Sequence, residues 1–396
     1  MKPRPELPPG PYLVVGLGKS GRAVAELLDD VIAVATDAEG MPHLDDVQTV
    51  VKSPGIRPAV ELIRTAHRRG LTVVGELEIA WRLLPNEFIA VTGTNGKTTT
   101  SALLGDIHER AGVPYAVAGN IGTALSSLVG QLEPEAVVIC ECSSFQLADS
   151  LAFSPECAVL LNVDADHLDW HGSVGAYQEA KQRIFANQGP DDVAIVPPGY
   201  SGQVAARRIE YAPVAPSALR LFGRHNLENA GAARAAAQAR GVDEAAIAES
   251  LAHFAGVEHR LEQVAVIDGV TYINDSKATN IGSTLVALEA VGHGVHLILG
   301  GDDAKGEDFG LLRDDVVAHC RAAYLIGEAA RRLADDLAGA VPLVDCGQLS
   351  VAVERASAAA RRGDVVLLSP ACASYDQFEN FEERGERFRE LVKQLS

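Results

Sequence analysis

Ala90-Val91-Thr92-Gly93-Thr94-Asn95-Gly96-Lys97-Thr98-Thr99 is the stretch that decides the fold. The apolar run Phe88 to Val91 leads into it as a strand, and Thr100 to Arg110 follows as a helix. A strand, a Gly-rich turn and a helix in that order make a phosphate cradle. Gly93 and Gly96 let backbone N–H groups of the loop, which includes Thr94 and Asn95, approach phosphate oxygens. Lys97 supplies a point charge, Thr98 a hydroxyl for Mg²⁺, and the helix start at Thr99 the positive end of a dipole. Two residues separate Gly93 from Gly96 where four are usual, so the loop is a short variant. The pattern predicts a site for a nucleoside triphosphate.

Around this loop the chain has 396 residues, 47% of them hydrophobic, enough for two or three domains with real cores. A net charge of −19 argues against a nucleic-acid partner, which needs a basic face. It leaves small anionic ligands open. No apolar run is long enough to span a bilayer, so no membrane association is expected. Met1 to Gly10 is proline-rich and charged and has no apolar stretch of a secretory signal, so the expected location is the cytoplasm. Six cysteines (Cys140, Cys142, Cys157, Cys320, Cys346, Cys372) lack any Cys-x-x-Cys spacing and read as reduced, buried thiols. Cys140 and Cys142 flank Glu141 on an apparent strand, so the two thiols share one face and Glu141 points to the other.

The expected fold is α/β, with three domains in series: a Rossmann-like N-terminal domain (1–84), a central P-loop ATPase domain (85–256) and a Rossmann-like C-terminal domain (257–396). In the first, strand Tyr12 to Val15 precedes Gly16-Leu17-Gly18-Lys19-Ser20-Gly21, a helix at Arg22 to Leu28, and a strand Val31 to Ala35 ending at Thr36-Asp37. This is a dinucleotide-type fingerprint, although the same turn serves any diphosphate. In the second, strands at Ala136 to Cys140, Ala158 to Asn162 and Val193 to Val196 alternate with helices at Tyr177 to Asn187 and Asn226 to Arg240, the latter stopped by Gly241. In the third, Val264 to Ile267, Asp268-Gly269 and Val270 to Ile273 read as a hairpin with a type I′ turn. Apolar runs at Val295 to Leu299, Ala322 to Ile326, Val341 to Val344 and Val365 to Leu368 then alternate with helices, which implies a mostly parallel sheet.

Ligands in open α/β sheets bind at the carboxyl ends of strands, so Lys97, Glu141 and His167 are expected to converge there. A carboxylate facing the Thr of such a loop suits a metal in phosphoryl transfer, which favours Glu141 as a ligand over an ordinary surface acid. On the residues alone His167 is equally well a structural histidine, and Lys181 an ordinary helix lysine. His259-Arg260, Asn274 to Asn280, Gly300 to Lys305 and Ser369 to Phe378 each follow an apolar run, so each lies on a strand-end loop where sites are built.

Taken together, Gly93 to Thr98, Glu141-x-Ser143-Ser144-Phe145, Asn162 to His167, Gly223-Arg224-His225-Asn226, His259-Arg260 and Asn274 to Asn280 resemble the Mur ligase family. These are ATP-dependent amide-forming ligases that build the peptide of bacterial cell-wall precursors. Asp275 to Asn280, and Ser369 to Ser374 followed by Phe378, Phe381, Arg384 and Gly385, resemble the members that add D-glutamate. The resemblance covers essentially the whole chain. It implies that Lys97 and Thr98 hold the ATP phosphates and one Mg²⁺ bridged by Glu141, that His167 binds a second Mg²⁺, and that Lys181 is carbamylated beside the metals. It implies nucleotide contacts from Asn229, Arg260 and Asp275. Asn120 and Ser143 would face the first substrate, UDP-N-acetylmuramoyl-L-alanine, with Gly16, Gly18, Ser20, Gly21 and Thr36 around its diphosphate-linked end. Thr279, Lys305, Ser374 and Phe381 would hold D-glutamate, Lys277 would lie by the reacting carboxylate, and the enzyme would be a monomer. Two other readings stay open: a sibling ligase for another amino acid, such as L-glutamate, and a non-catalytic nucleotide sensor.

Overall fold

The computed structural model describes residues 2–35, 44–120, 122–164, 168–219, 221, 223–303, 306 and 308–395. Thr36, His167 and Lys305 lie outside the described residues. The chain forms two compact units, one of Met1–Arg220 with Asn226–Phe254, the other of Leu221–His225 with Ala255–Ser396.

The first unit holds two parallel sheets. Strands β1 (Tyr12–Val15), β2 (Val31–Ala35), β3 (Thr49–Lys52) and β4 (Thr72–Gly75) are ordered β2-β1-β3-β4. Strands β5 (Glu87–Thr92), β6 (Tyr115–Gly119), β7 (Val137–Glu141), β8 (Cys157–Leu160), β9 (Val193–Val196) and β10 (Arg207–Glu210) are ordered β10-β9-β8-β5-β7-β6. β1, β3, β5 and β7 to β9 are short runs rich in Val, Ile and Ala, and nearly all of their residues are buried on both faces, as parallel strands covered by helices must be, while the edge strand β6 is mostly not. In both sheets the order reverses beside the strand that carries a Gly-rich loop. β1 lies between β2 and β3, and β5 lies between β7 and β8, so each loop opens at a topological switch point.

Helix Glu76–Leu83 joins the two sheets. Leu77, Ala80 and Trp81 enter the core around β5, β7 and β8, while Ile79 packs with Val14, Val51 and Val74 under β1, β3 and β4. Its two acidic residues are buried. Glu78 accepts hydrogen bonds from the backbone N–H groups of Leu151 (2.9 Å), Ala152 (3.0 Å) and Phe153 (3.0 Å) and is paired with Arg82 at 2.7 Å. Glu76 accepts from the Ser126 N–H at 2.7 Å and its hydroxyl at 2.9 Å, and burial raises its pKa. A third buried tie is the Lys52–Asp149 ion pair at 2.7 Å. Breaking one partner of such a pair costs several kcal/mol, of order 3–5, because the other charge is left dry.

In the second unit, β11 (Glu262–Ile267), β12 (Val270–Asn274), β13 (Val295–Gly300), β14 (Cys320–Ile326), β15 (Leu343–Gly347) and β16 (Val365–Leu368) are ordered β11-β12-β16-β13-β14-β15. Among these named strands the β11–β12 hairpin is the one antiparallel pair, and an isolated antiparallel bridge joins Asp302 to Ala373. Asp268 and Gly269 both have positive φ, 52° and 81°, as the type I′ turn requires.

Several boundaries differ from the sequence reading. The helix after the Gly-rich loop starts at Lys97, not Thr100, because Gly96 at φ 87° already caps it. β7 runs on through Glu141, and the helix expected at Tyr177 starts at Val174, where Ser173 caps it, and tightens into a 3₁₀ turn at Arg183–Phe185. Four of the cysteines are buried, but Cys320 and Cys346 are half-buried, each at a strand end.

Candidate active site

The loop after β5 is held open by one side chain. Asn162 accepts from the Asn95 N–H through Oδ1 (2.8 Å), donates through Nδ2 to the Asn95 carbonyl (3.2 Å), and takes the Thr94 N–H on its own carbonyl (3.1 Å). Thr94 Oγ1 accepts from the Asp164 N–H (2.9 Å) and bonds the Tyr177 hydroxyl (3.0 Å). Gly96 has no room for a side chain: a Cβ there would stand 2.1 Å from Asn229 Oδ1. Asn229 therefore lies directly on the loop, one turn after Asn226, to which its Nδ2 donates at 3.2 Å.

Two lysines meet at the loop. Lys97, the first residue of the 14-residue helix Lys97–Arg110, donates from Nζ to the carbonyls of Gly93 (2.8 Å) and Thr94 (3.0 Å). Lys181 is only 1% exposed, yet its Nζ reaches the same Gly93 oxygen at 2.7 Å and lies 4.6 Å from the centre of the Tyr177 ring. Two ammonium groups beside a helix N-terminus make a spot that only an anion can balance. Thr98 is half-buried and Thr99 buried in the first turn of that helix.

Glu141 ends β7 opposite Val91 of β5 and is buried, at 3% exposure. Its Oε1 accepts from Asn120 Nδ2 at 3.0 Å, and the Asn120 N–H donates to the Glu141 carbonyl at 2.8 Å. The turn between β6 and Asn120 needs Gly119: its φ is 117°, and a Cβ would stand 2.3 Å from the Glu141 oxygen. The Thr98 hydroxyl and the Glu141 carboxylate are hard oxygen donors of the kind Mg²⁺ takes, and a carboxylate buried with a neutral amide as its side-chain partner fits a cation. Ser143 closes a capping box with Gln146 at the start of helix Ser144–Ala148. Beyond it, His171 Nε2 meets Ser144 Oγ at 3.0 Å and stacks on Phe145.

At the end of β1, Gly16 turns at φ 98° and accepts from Ser53 Oγ at 3.2 Å. A Cβ on Gly21 would overlap the Gly16 oxygen at 1.9 Å, so helix Lys19–Leu27 packs against the turn only with glycine there. Gly18 caps this helix without a side chain, leaving its first N–H groups for a ligand, and Ser20 is half-buried beside them.

In the second unit the ends of β12, β13 and β16 lie together. Asp275 is buried, accepts from the Leu261 N–H (3.1 Å) and from Ser369 Oγ (2.8 Å), and burial pushes its pKa up to about 7. Arg384 is completely buried and donates to Ser276 Oγ (3.0 Å) and to the carbonyls of Ser276 (2.8 Å), Cys372 (3.1 Å) and Ala373 (3.1 Å). Burial lowers its pKa to about 10, which leaves it charged at neutral pH. It thus binds the loop after β12 to the loop after β16. Lys277 Nζ lies 5.7 Å from the Phe381 ring centre, Ser374 is buried, and Thr279 is half-buried. Arg260 Nε is buried with no hydrogen-bond partner among the described residues, which fits a residue awaiting an anion.

The structure therefore brings Lys97, Thr98, Glu141, Asn120, Lys181 and Asn229 together in the first unit. In the second it groups Arg260 and Asp275 at the end of β12 and sets Lys277 against Phe381. Tyr177 was not singled out from sequence, and Asn162 and Arg384 entered there only as motif residues with no role attached. The first left a trace, since Tyr177 and Lys181 are four apart on one helix face.

Residues 91–215 match the family model of the Mur ligase middle domain, and residues 259–372 that of the Mur ligase, glutamate ligase domain. The UDP-N-acetylmuramoylalanine--D-glutamate ligase of Acidobacterium capsulatum is 40% identical, over 96% of this chain and 95% of its own. The chain belongs to the Mur ligase family. A second relative of the same name, from Pelotomaculum thermopropionicum, is 39% identical over 97% of both chains. Among solved structures, MurF ligase from Thermotoga maritima in complex with ADP aligns with this Mur ligase at a TM-score of 0.62 and 16% identity, covering 99% of this chain and 97% of that one. UDP-N-acetylmuramate-alanine ligase MurC from the same organism aligns at 0.60 and 18%, covering 97% of this chain and 99% of that one. At these identities the likeness is one of fold: α/β with parallel sheets. This Mur ligase is an ATP-dependent ligase of peptidoglycan synthesis.

Proposed function

We propose that this Mur ligase joins D-glutamate to UDP-N-acetylmuramoyl-L-alanine through an acyl phosphate, in the cytoplasm and as a monomer. The observation that carries the reading is the pair Lys97 and Lys181 on one loop carbonyl, with Glu141 at the end of the neighbouring strand. We read residues 1–84 as the domain for the UDP substrate, 85–256 as the ATP domain and 257–396 as the amino-acid domain. No helix among the described residues is long and apolar enough to cross a membrane.

A carboxylate is a poor acylating agent because oxide is a poor leaving group. Transfer of the γ-phosphoryl of ATP to the terminal carboxylate of the muramoyl substrate supplies a good one. The amine of D-glutamate then attacks the carbonyl, and phosphate leaves. Lys97 and the N–H groups at the start of helix Lys97–Arg110 hold the phosphates in line and offset charge as it moves. Thr98 and Glu141 would hold a Mg²⁺, which supplies charge neutralisation when bound. His167 is assigned to a second Mg²⁺, and Lys181 as a carbamate would give that metal pair an anion. Asn120 and Ser143 are assigned to the muramoyl substrate and the Gly16–Gly21 turn with Thr36 to its diphosphate. Thr279, Lys305, Ser374 and Phe381 are assigned to D-glutamate, with Lys277 by the reacting carboxylate. Asn229, Arg260 and Asp275 are assigned to the nucleotide.

The test is phosphate release from ATP and Mg²⁺ with the muramoyl nucleotide, offered D- and L-glutamate and a panel of other amino acids. Release that requires both the nucleotide acceptor and D-glutamate supports the proposal. Release with L-glutamate alone makes the chain a sibling ligase, and release independent of any amine removes the ligase reading.

A further inference from the structure

Helix Glu76–Leu83 begins with a carboxyl group that is 1% exposed and bonds to a residue far along the chain. Glu76 Oε1 accepts from the Ser126 N–H at 2.7 Å and from the Ser126 hydroxyl at 2.9 Å. Leu125 and Ser126, both buried, open the 3₁₀ turn Leu125–Leu128. Ala124, in the capping position, has no side chain that can accept, so Glu76 supplies the acceptor from outside. The same 3₁₀ turn packs against helix Lys19–Leu27, which follows from the glycine turn after β1.

The chain just ahead of this turn carries Asn120. Thr123 precedes Ala124, and its carbonyl accepts from the Gly119 N–H at 3.0 Å. Asn120 then donates its N–H to the Glu141 carbonyl at 2.8 Å and its side-chain amide to Glu141 Oε1 at 3.0 Å. The segment that bears Asn120 is therefore held at both ends, by Glu141 on one side and by Glu76 on the other.

Burying a carboxyl group is costly, and a leucine would fill the same space without that cost. Glu76 Oε2 is buried with no hydrogen-bond partner among the described residues. Burial raises the pKa of the group more than its hydrogen bonds from Ser126 and Leu125 lower it. Burial thus favours the neutral acid, which acts through the reach of one oxygen rather than through charge.

We propose that Glu76 is a positioning residue for the acceptor substrate: it fixes the far end of the segment that presents Asn120. The role rests on the assignment of Asn120 to the muramoyl nucleotide made above. Glu76 acts through Ser126 and the 3₁₀ turn. The Gly93–Lys97 loop is braced separately by Asn162, so the effect falls on the acceptor and not on ATP.

The experiment measures phosphate release by the full chain while the muramoyl nucleotide, ATP and D-glutamate are varied in turn. Glu76→Gln keeps the reach and the carbonyl oxygen, Glu76→Asp keeps the acid but is one methylene short, and Glu76→Leu keeps the bulk. The Asp and Leu variants should raise the KM for the muramoyl nucleotide at least about 10-fold, with the other two KM values within about 2-fold of wild type. The Gln variant should stay within about 2-fold on all three. An unchanged acceptor KM in the Asp and Leu variants, an equal rise in all three KM values, or a normal Asp variant beside an impaired Gln variant overturns the proposal. Hydrogen exchange gives a reading without substrate. The Gly119 and Ser126 amides should exchange at least about 10-fold faster in Glu76→Asp, while the Phe153 amide, held by Glu78, keeps its protection. Unchanged protection at Gly119 and Ser126 also overturns the proposal. If the Asp and Leu variants do not fold, Ser126→Ala removes one bond and leaves the core in place. It should raise the acceptor KM about 3-fold, and an unchanged value overturns the proposal. A wild type that releases no phosphate with the muramoyl nucleotide removes the function proposed above, and this role with it, before any variant is compared.

Discussion

Lys97 and Lys181 donate to one and the same oxygen, the carbonyl of Gly93. Like charges held this close repel, and burial of Lys181 makes the repulsion harder to screen. An incoming phosphate relieves it, and so does the second response, conversion of one amine into an anion.

The second response gives a test at Lys181. A carbamate on Nζ keeps one N–H for the Gly93 carbonyl and adds two oxygens. Lys181→Arg stays cationic and cannot take up CO₂, so it should lose about 10²-fold or more in turnover, and Lys181→Ala should lose as much. Acetate or bicarbonate added to the Ala variant should restore part of the rate. Labelling with ¹³C bicarbonate should give a carbamate signal in the wild type only. Full activity in the Arg variant would exclude the carbamate.

Lys97→Ala should lower turnover by about 10²-fold, the cost of removing one preorganised charge from a phosphoryl-transfer site. Its two partners are carbonyls of its own loop, so the circular dichroism spectrum and melting temperature should stay close to wild type. A steady-state assay of ADP formation checks the first point. Near-normal turnover would remove the loop from the mechanism.

Gly96→Ala tests the loop's geometry. The positive φ costs roughly 1–2 kcal/mol for a residue with a Cβ, and here that atom would also collide with Asn229. ATP affinity should fall at least about 10-fold. Gly112→Ala is the control: φ is 67° and nothing lies within 4 Å of the added atom. It should show the backbone cost in its melting temperature and none in ATP affinity.

Asp275 gives the second unit a pH signature. Its native pKa is about 7 against 3.8 for the free side chain, raised by burial. Between those values the native state holds a proton that the unfolded chain has released. Stability from this group is therefore greatest below about pH 4, falls as pH rises towards 7, and is flat above. Asp275→Asn carries no such proton, so its urea midpoint should vary less than the wild type's between pH 5 and 7. Parallel curves for the two proteins would contradict the assignment.

The strands and Gly-rich turns were legible because each depends on local chemistry. An apolar run of four to six residues, a glycine that must take positive φ and a following helix fix the loop at Gly93–Lys97 without further information. The paired motifs also told which strand ends would carry polar groups. What could not be read was depth. Lys181 has the periodicity of a surface helix lysine and is buried only because the loop after β5 folds over it. Arg384 has an acidic, outward-looking neighbourhood in sequence, and four loop contacts make it an internal brace. Glu76 and Glu78 stand where helix-start acids usually meet water, and a second sheet covers them. In each case the deciding contact comes from a residue distant along the chain.

Helix Glu76–Leu83 has consequences for how such a chain can be taken apart or recombined. It gives Trp81 and Leu77 to one core, Ile79 to another, and the Glu78 carboxylate to three backbone N–H groups some seventy residues away. A fragment that begins after it would carry a hole where an indole belongs and a turn at Leu151–Phe153 with its donors unanswered. Such a piece should aggregate when made alone. Exchange of the four-stranded sheet between relatives should succeed only when the junction falls between Gly75 and Glu76, so that this helix stays with the six-stranded sheet it seals.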